Sequence, residues 1–159
     1  MLATATIATA AEEEVEILFG PPHFIDYLVP VESIDPKVVT PRMDTLSPFD
    51  EESGHGPLIL EGMKTASGPN FAGSYLYLQM PACGTGMTCA VIVNLRDGAI
   101  IEVPAGDTGH DFRAQSNLFV TATFDFSTDE PIRHTRYFVL KDNVFSEIYE
   151  ETKSELCFE

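Results

Sequence analysis

The stretch Ala90-Val91-Ile92-Val93-Asn94-Leu95-Arg96-Asp97-Gly98-Ala99-Ile100-Ile101-Glu102-Val103 decides how this chain folds. Ala90 to Leu95 is apolar at successive positions, so it reads as a strand buried on both faces, in the middle of a sheet. Arg96-Asp97-Gly98 reads as a hairpin turn, because Gly98 takes positive φ at no steric cost and Asp97 tolerates it. Ala99 to Val103 then returns as the next strand, and Pro104 ends it.

Working outward, the same signals recur. Upstream, Phe71-Ala72-Gly73-Ser74 leads into the strand Tyr75-Leu76-Tyr77-Leu78-Gln79-Met80. Downstream, Asp111 to Ala114 is a short strand before a turn at Ser116-Asn117. Leu118 to Phe124 follows, rich in β-branched and aromatic residues. Thr135 to Leu140 and Val144 to Tyr149 form a last hairpin around Lys141-Asp142-Asn143. The window from Glu150 to Phe158 is assigned a final helical turn. No window shows sustained helical periodicity. About seven short strands at spacings of roughly 8–12 residues predict an all-β antiparallel meander. The hairpins resemble propeller blades. Only about two such units fit, whereas a closed propeller takes four or more, so a sandwich or open barrel is expected.

The N-terminal part differs. Residues 1–64 hold 7 of the 11 prolines, at 21, 22, 30, 36, 41, 48 and 57, too dense for long helices. Glu16 to Phe19, Phe24 to Val29 and Leu58 to Leu60 are expected as short extended pieces covering a sheet edge or an open end. The resulting organisation is a flexible N-terminus or signal remnant over 1–15, a proline-rich acidic segment packing on the sheet over 16–64, a β-meander core over 65–150 and an acidic tail over 151–159.

Charge narrows the partners. The 159 residues carry 25 acids against 9 bases, a net charge of −16. A face that binds phosphates needs clustered Lys and Arg, so nucleic acid is excluded at this level, as is docking on anionic membranes. No stretch approaches the roughly 18 apolar residues of a spanning helix, so no membrane insertion is expected. Divided by segment, the net charge is −9 over 1–64, −2 over 65–124 and −5 over 125–159. The acidity lies on two flanks. The acids at Asp50, Glu51, Glu52, Glu147, Glu150 and Glu151 are therefore the candidate surface for a basic protein partner, which they would steer electrostatically.

Cysteines and the first residues bear on compartment. Cys83 and Cys89 flank Gly84-Thr85-Gly86-Met87-Thr88, a strand–loop–strand junction that can bring two thiols to disulfide distance. A bridge fits an oxidising compartment, and three reduced thiols fit a cytoplasmic protein. Cys157 is odd in either case. Met1 to Ala11 is small and apolar, and Ala8-Thr9-Ala10 resembles a signal-peptidase site, although the basic start and longer apolar run of a full signal are missing. It reads either as an ordinary N-terminus or as the remnant of an export signal.

Asn70-Phe71-Ala72-Gly73-Ser74-Tyr75, Cys83-Gly84-Thr85-Gly86, and Val91 to Gly98 together resemble a family of small, uncharacterised, exported bacterial β proteins. Phe112 to Val120 and Arg136 to Leu140 fit its second half, so the resemblance spans about residues 65–149. The chain departs from the pattern at Pro81-Ala82 and in placing the second cysteine as late as Cys89. The resemblance implies a periplasmic or secreted β protein and supplies no catalytic residues.

Candidate chemistry is sparse. Cys83 in its Gly-rich loop could act as a nucleophile given a histidine such as His110 or His134. The competing reading is a disulfide loop with glycines at positive φ. Among His23, His55, His110 and His134 no pair has zinc-ligand spacing. Asp107 with Gly109-His110-Asp111 is the best local cluster, and loops are ordinarily rich in such residues. The runs Glu12-Glu13-Glu14 and Asp50-Glu51-Glu52 lack the alternating spacing of a calcium loop. No phosphate-binding or dinucleotide motif is present, and no cofactor is expected. The expectation is an exported, non-enzymatic acidic β domain that binds or inhibits a protein. The alternatives are a hydrolase using Cys83 or the Asp107–Asp111 loop, and a purely structural envelope domain.

Overall fold

The computed structural model describes residues 20–81, 88–107 and 109–154. The two-sided apolar run becomes the middle strand of a sheet. Strand β2 (Cys89–Asn94) pairs antiparallel with β1 (Tyr75–Met80) on one side and β3 (Ile100–Glu102) on the other. A second antiparallel sheet has the order β4 (His110–Arg113), β5 (Ser116–Asp125), β6 (Ile132–Lys141) and β7 (Val144–Ser154). Both sheets are meanders, and together they make the expected sandwich.

Strand periodicity sends alternate side chains to opposite faces, which gives β2 two different neighbours. Ile92 and Ile101 join Phe71, Phe119, Phe138 and Leu140 between the two sheets. Phe71 and Phe119 are both 0% exposed there, with ring centroids 5.4 Å apart in a T-shaped contact. Val91, Val93 and Ile100 face the other way, onto Ile59 and Met63. These belong to a helix, α2 (His55–Thr65), which follows the short α1 (Pro48–Glu52). The sandwich thus carries a helical layer on its three-stranded sheet.

That helix corrects the sequence reading, which made Leu58 to Leu60 extended and found no helical window. Gly56, Pro57 and Gly62 weaken its propensity. Pro57 is tolerated because it lies in the first turn. Gly62 packs closely on the sheet: a Cβ there would lie 2.8 Å from Leu78 Cδ2, so the Leu78 side chain would have to shift to admit it. The buried stripe His55, Ile59, Met63 recurs every fourth residue and is stabilised by its burial, about 1.5–3 kcal/mol per large apolar side chain.

Three further expectations shift. Phe24–Tyr27 is a 3-10 turn rather than a strand, although Leu28 beyond it bridges Ser116. Ser116 and Asn117 belong to β5 rather than to the turn before it. Glu150 to Ser154 continues β7 rather than starting a helical turn, because each residue pairs with β6 in register. The pieces at 1–19, including Glu16 to Phe19, lie outside the described residues, as does the chain beyond Ser154.

Residues 20–46 form a strap that ties both sheets together. Val29 N–H donates to Gln115 O, Glu32 N–H to Gly73 O and Arg42 N–H to Gly98 O. The fit is close at two glycines of positive φ: an added Cβ would lie 2.2 Å from Pro30 O at Gly73 and 2.1 Å from Thr40 O at Gly98. At the far end, the two-residue turn Asp142-Asn143 has φ of +50° and +63°. This is the hairpin that the sequence indicated. It also clamps the sheets: Asn143 Oδ1 accepts from Tyr75 O–H (3.0 Å) and from Asn94 Nδ2 (2.8 Å).

Candidate functional site

The six acids proposed as a partner surface are not equivalent. Asp50 is buried, at 6% exposure. Ser47 caps α1 by accepting from Asp50 N–H (3.1 Å), and its hydroxyl donates back to Asp50 Oδ2 (2.6 Å). The other carboxylate oxygen of Asp50 bonds His55 Nδ1 at 2.7 Å, where the imidazole is 1% exposed. Asp50 therefore joins α1 to α2 inside the fold, while Glu51 and Glu52 stay exposed. Ser, Asp and His meet here in an order unlike that of a catalytic triad: the carboxylate lies between the hydroxyl and the imidazole and hydrogen-bonds both.

Glu147, Glu150 and Glu151 all lie on β7, and each has a basic neighbour, Arg136 and His134 from β6 for the first two and Lys153 of β7 itself for the third. Glu147 accepts from Arg136, Glu150 bonds His134 (3.1 Å), and Glu151 pairs with Lys153 (2.9 Å). Such exposed pairs add about 0–1 kcal/mol each. Their main effect here is to cancel charge: Arg133, Arg136, Lys141 and Lys153 balance Asp142, Glu147, Glu150 and Glu151. β7 is also an edge strand with an irregularity between Tyr137 and Phe138 of its partner. Charges and a bulge on an edge guard it against pairing with other chains.

The Asp107–Asp111 loop is spent on structure. Asp107 Oδ2 accepts Phe124 N–H (3.0 Å), and its own N–H donates to Ala122 O (2.8 Å). Asp111 is paired with Arg113. His110 Nδ1 lies 2.9 Å from Tyr77 O–H between the sheets. Burial pushes the Tyr77 phenol up to about 12. Burial also holds the His110 imidazole below its ordinary range, with the Pro104 carbonyl opposing part of that effect. Cys89 opens β2 opposite Met80 and is half-buried against the helix-side core. The loop residue Cys83 and the odd Cys157 lie outside the described residues.

What the sequence did not show is a groove along β3. Among the described residues, β3 has a neighbouring strand on its β2 side alone. Its first residues are covered: Arg42 bridges Ala99 in parallel, and Ile100 N–H donates to Thr45 Oγ1 (2.8 Å). Beyond them the strap turns away into α1. A cleft of about 720 Å³ opens between Ile101–Pro104 and the β6–β7 tip at Asn143, Val144 and Phe145. A second cleft of about 250 Å³ shares Glu102 and Val103 and continues to Phe49, Asp50 and His110. Residues from both expected sites, Asp50 and His110, thus meet at one end of this groove, already hydrogen-bonded. The opposite edge of the sheet is closed, because the Asn70 side chain accepts Tyr77 N–H (2.6 Å) and donates to Tyr77 O (3.0 Å), standing in for a strand.

Among the described residues, no group of three or more His, Cys, Asp or Glu side chains could hold a metal ion, and no helix is long and apolar enough to cross a membrane. No protein-family model, curated protein or solved structure matches the chain.

Proposed function

We propose that this chain is an exported, non-enzymatic binding module that takes a basic segment of a partner protein in the groove along β3. One observation carries this reading. Among the described residues, Asp50 is bonded to His55 and Ser47, Asp107 to β5, and His110 Nδ1 to Tyr77, while the concave surface beside β3 has no neighbouring strand. The net charge of −16 selects cationic partners and raises their association rate. Charge cancellation on β7 turns attention from Glu147, Glu150 and Glu151 to Glu102 in the groove and to Glu51 and Glu52 on α1.

Export belongs to the same proposal and rests on Ala8-Thr9-Ala10 and on a bridge between Cys83 and Cys89. Non-reducing mass spectrometry should recover a Cys83–Cys89 linked peptide, and three alkylatable thiols would remove the bridge. Binding is tested by titrating isotope-labelled protein with lysine-rich probes, one an extended peptide and one a folded basic protein. Amide shifts at Ile101 to Val103 that fade with added salt are expected. If neither probe binds at low salt, the reading fails.

A further inference from the structure

The edge of β3 shows how a ligand would be held. The strap already occupies its first part as a parallel neighbour, bridging Arg42 to Ala99, with Thr45 Oγ1 taking the Ile100 N–H. That bond points away from β2. Alternate residues along a strand direct their backbone groups to the same side, so the N–H and C=O of Glu102 also face outward, into the groove. Glu102 pairs with Val91 across β2 without using that side. Its side chain is exposed.

We propose that an extended peptide bearing Lys or Arg adds to β3 as a short strand, its backbone bonded to Glu102 and its cation beside the Glu102 carboxylate. This rests on the binding-module reading above and specifies its mode. Three features of the site favour that occupant. The outward N–H and C=O of Glu102 match an extended backbone, which gains affinity from main-chain bonds and specificity from alternate side chains. The apolar walls from Ile101, Val103 and Phe145 accept small or β-branched side chains. The carboxylate of Glu102, within a chain of net charge −16, selects the cation. Pro104 lacks an N–H and leads the chain away, and Gly106 two residues on accepts Thr88 N–H, so the open edge is short. The added strand therefore spans about four residues, roughly 13 Å at strand rise.

The test uses fluorescence anisotropy with a labelled peptide alternating Val or Thr with Lys. Two control peptides replace Lys by Glu, or place Pro at alternate positions so that the backbone cannot pair. Wild type should bind the Lys peptide and neither control. Glu102→Pro removes both the outward N–H and the carboxylate while leaving the β2 ladder intact, and should weaken binding about tenfold, the excess over Glu102→Gln reporting the backbone bond. Glu102→Gln keeps the backbone and should weaken it about threefold, with a smaller salt dependence. Amide spectra of each variant establish that the fold is retained. If Glu102→Pro is folded and binds like wild type, strand addition is wrong while the binding module stands. Equal binding of the Pro-interrupted peptide overturns strand addition in the same way. If no cationic probe binds wild type at low salt, the parent reading falls.

Discussion

Replacing Gly98 by Ala tests whether the strap is an integral part of the sandwich. Gly98 has φ of +77° and carries Thr40 O where its Cβ would be, 2.1 Å away. Two costs follow. An L-residue at this φ costs about 1–2 kcal/mol. The strap must also retreat, breaking Arg42 N–H to Gly98 O and Ile100 N–H to Thr45 Oγ1, at about 1 kcal/mol each. The sum is about 3–4 kcal/mol, a large part of the roughly 5–15 kcal/mol that holds a domain folded. Gly54 supplies the control, since it has nearly the same φ, +74°, and nothing within 4 Å of an added Cβ. Gly54→Ala should lose the dihedral part alone, about 1–2 kcal/mol. Urea unfolding followed by circular dichroism should separate the two variants by about 2 kcal/mol, and thermal midpoints by about 4–8 °C. If the two unfold within about 0.5 kcal/mol of each other at the same urea slope, the strap does not press on the turn, and the reasoning fails.

Asn143→Gly keeps the turn that positive φ demands but removes the acceptor shared by Tyr75 and Asn94. It should lower stability by about 2 kcal/mol, and Tyr75→Phe made on top of it should add little, which a double-mutant cycle measures. Ser47→Ala removes the cap of α1 and should cost about 1 kcal/mol in the same urea assay. The buried Tyr77 phenol, pushed up to about 12, should be absent from the main tyrosine titration followed by ultraviolet absorbance. Because its folded value lies above its unfolded one, the stability it contributes is complete below about pH 10 and is lost as pH rises toward 12. His110 has the opposite sign. Burial lowers its folded value below 6.5, so stability should decline as pH falls below that point, and its ring protons in NMR should titrate late.

The strands and turns were legible because their signals are local. The apolar run Ala90 to Leu95, the Gly98 turn and the Asp142-Asn143 turn each encode a conformation through a few adjacent residues. The helix α2 was hidden by its own composition: Gly56, Pro57 and Gly62 weaken it in isolation, and Gly62 packs against Leu78 of the sheet. The acids were legible as charge but not as surface. Asp50 differs from Glu51 because Ser47 and His55 reach it, and neither partner is implied by an acidic run. The groove gave no sequence signal, since an edge is a property of what fails to pair.

By itself, then, the sequence determined an antiparallel β architecture, its main turns and a strongly acidic chain. Only the tertiary structure decided that β2 is buried by a helix on one face and by a second sheet on the other. It also decided which basic groups stand beside Glu147 and Glu150, since Arg136 and His134 become their neighbours through hairpin register rather than through sequence adjacency. Backbone dihedrals and side-chain period act over a few residues, whereas burial, ion pairing and open edges depend on which distant segments come to rest against each other.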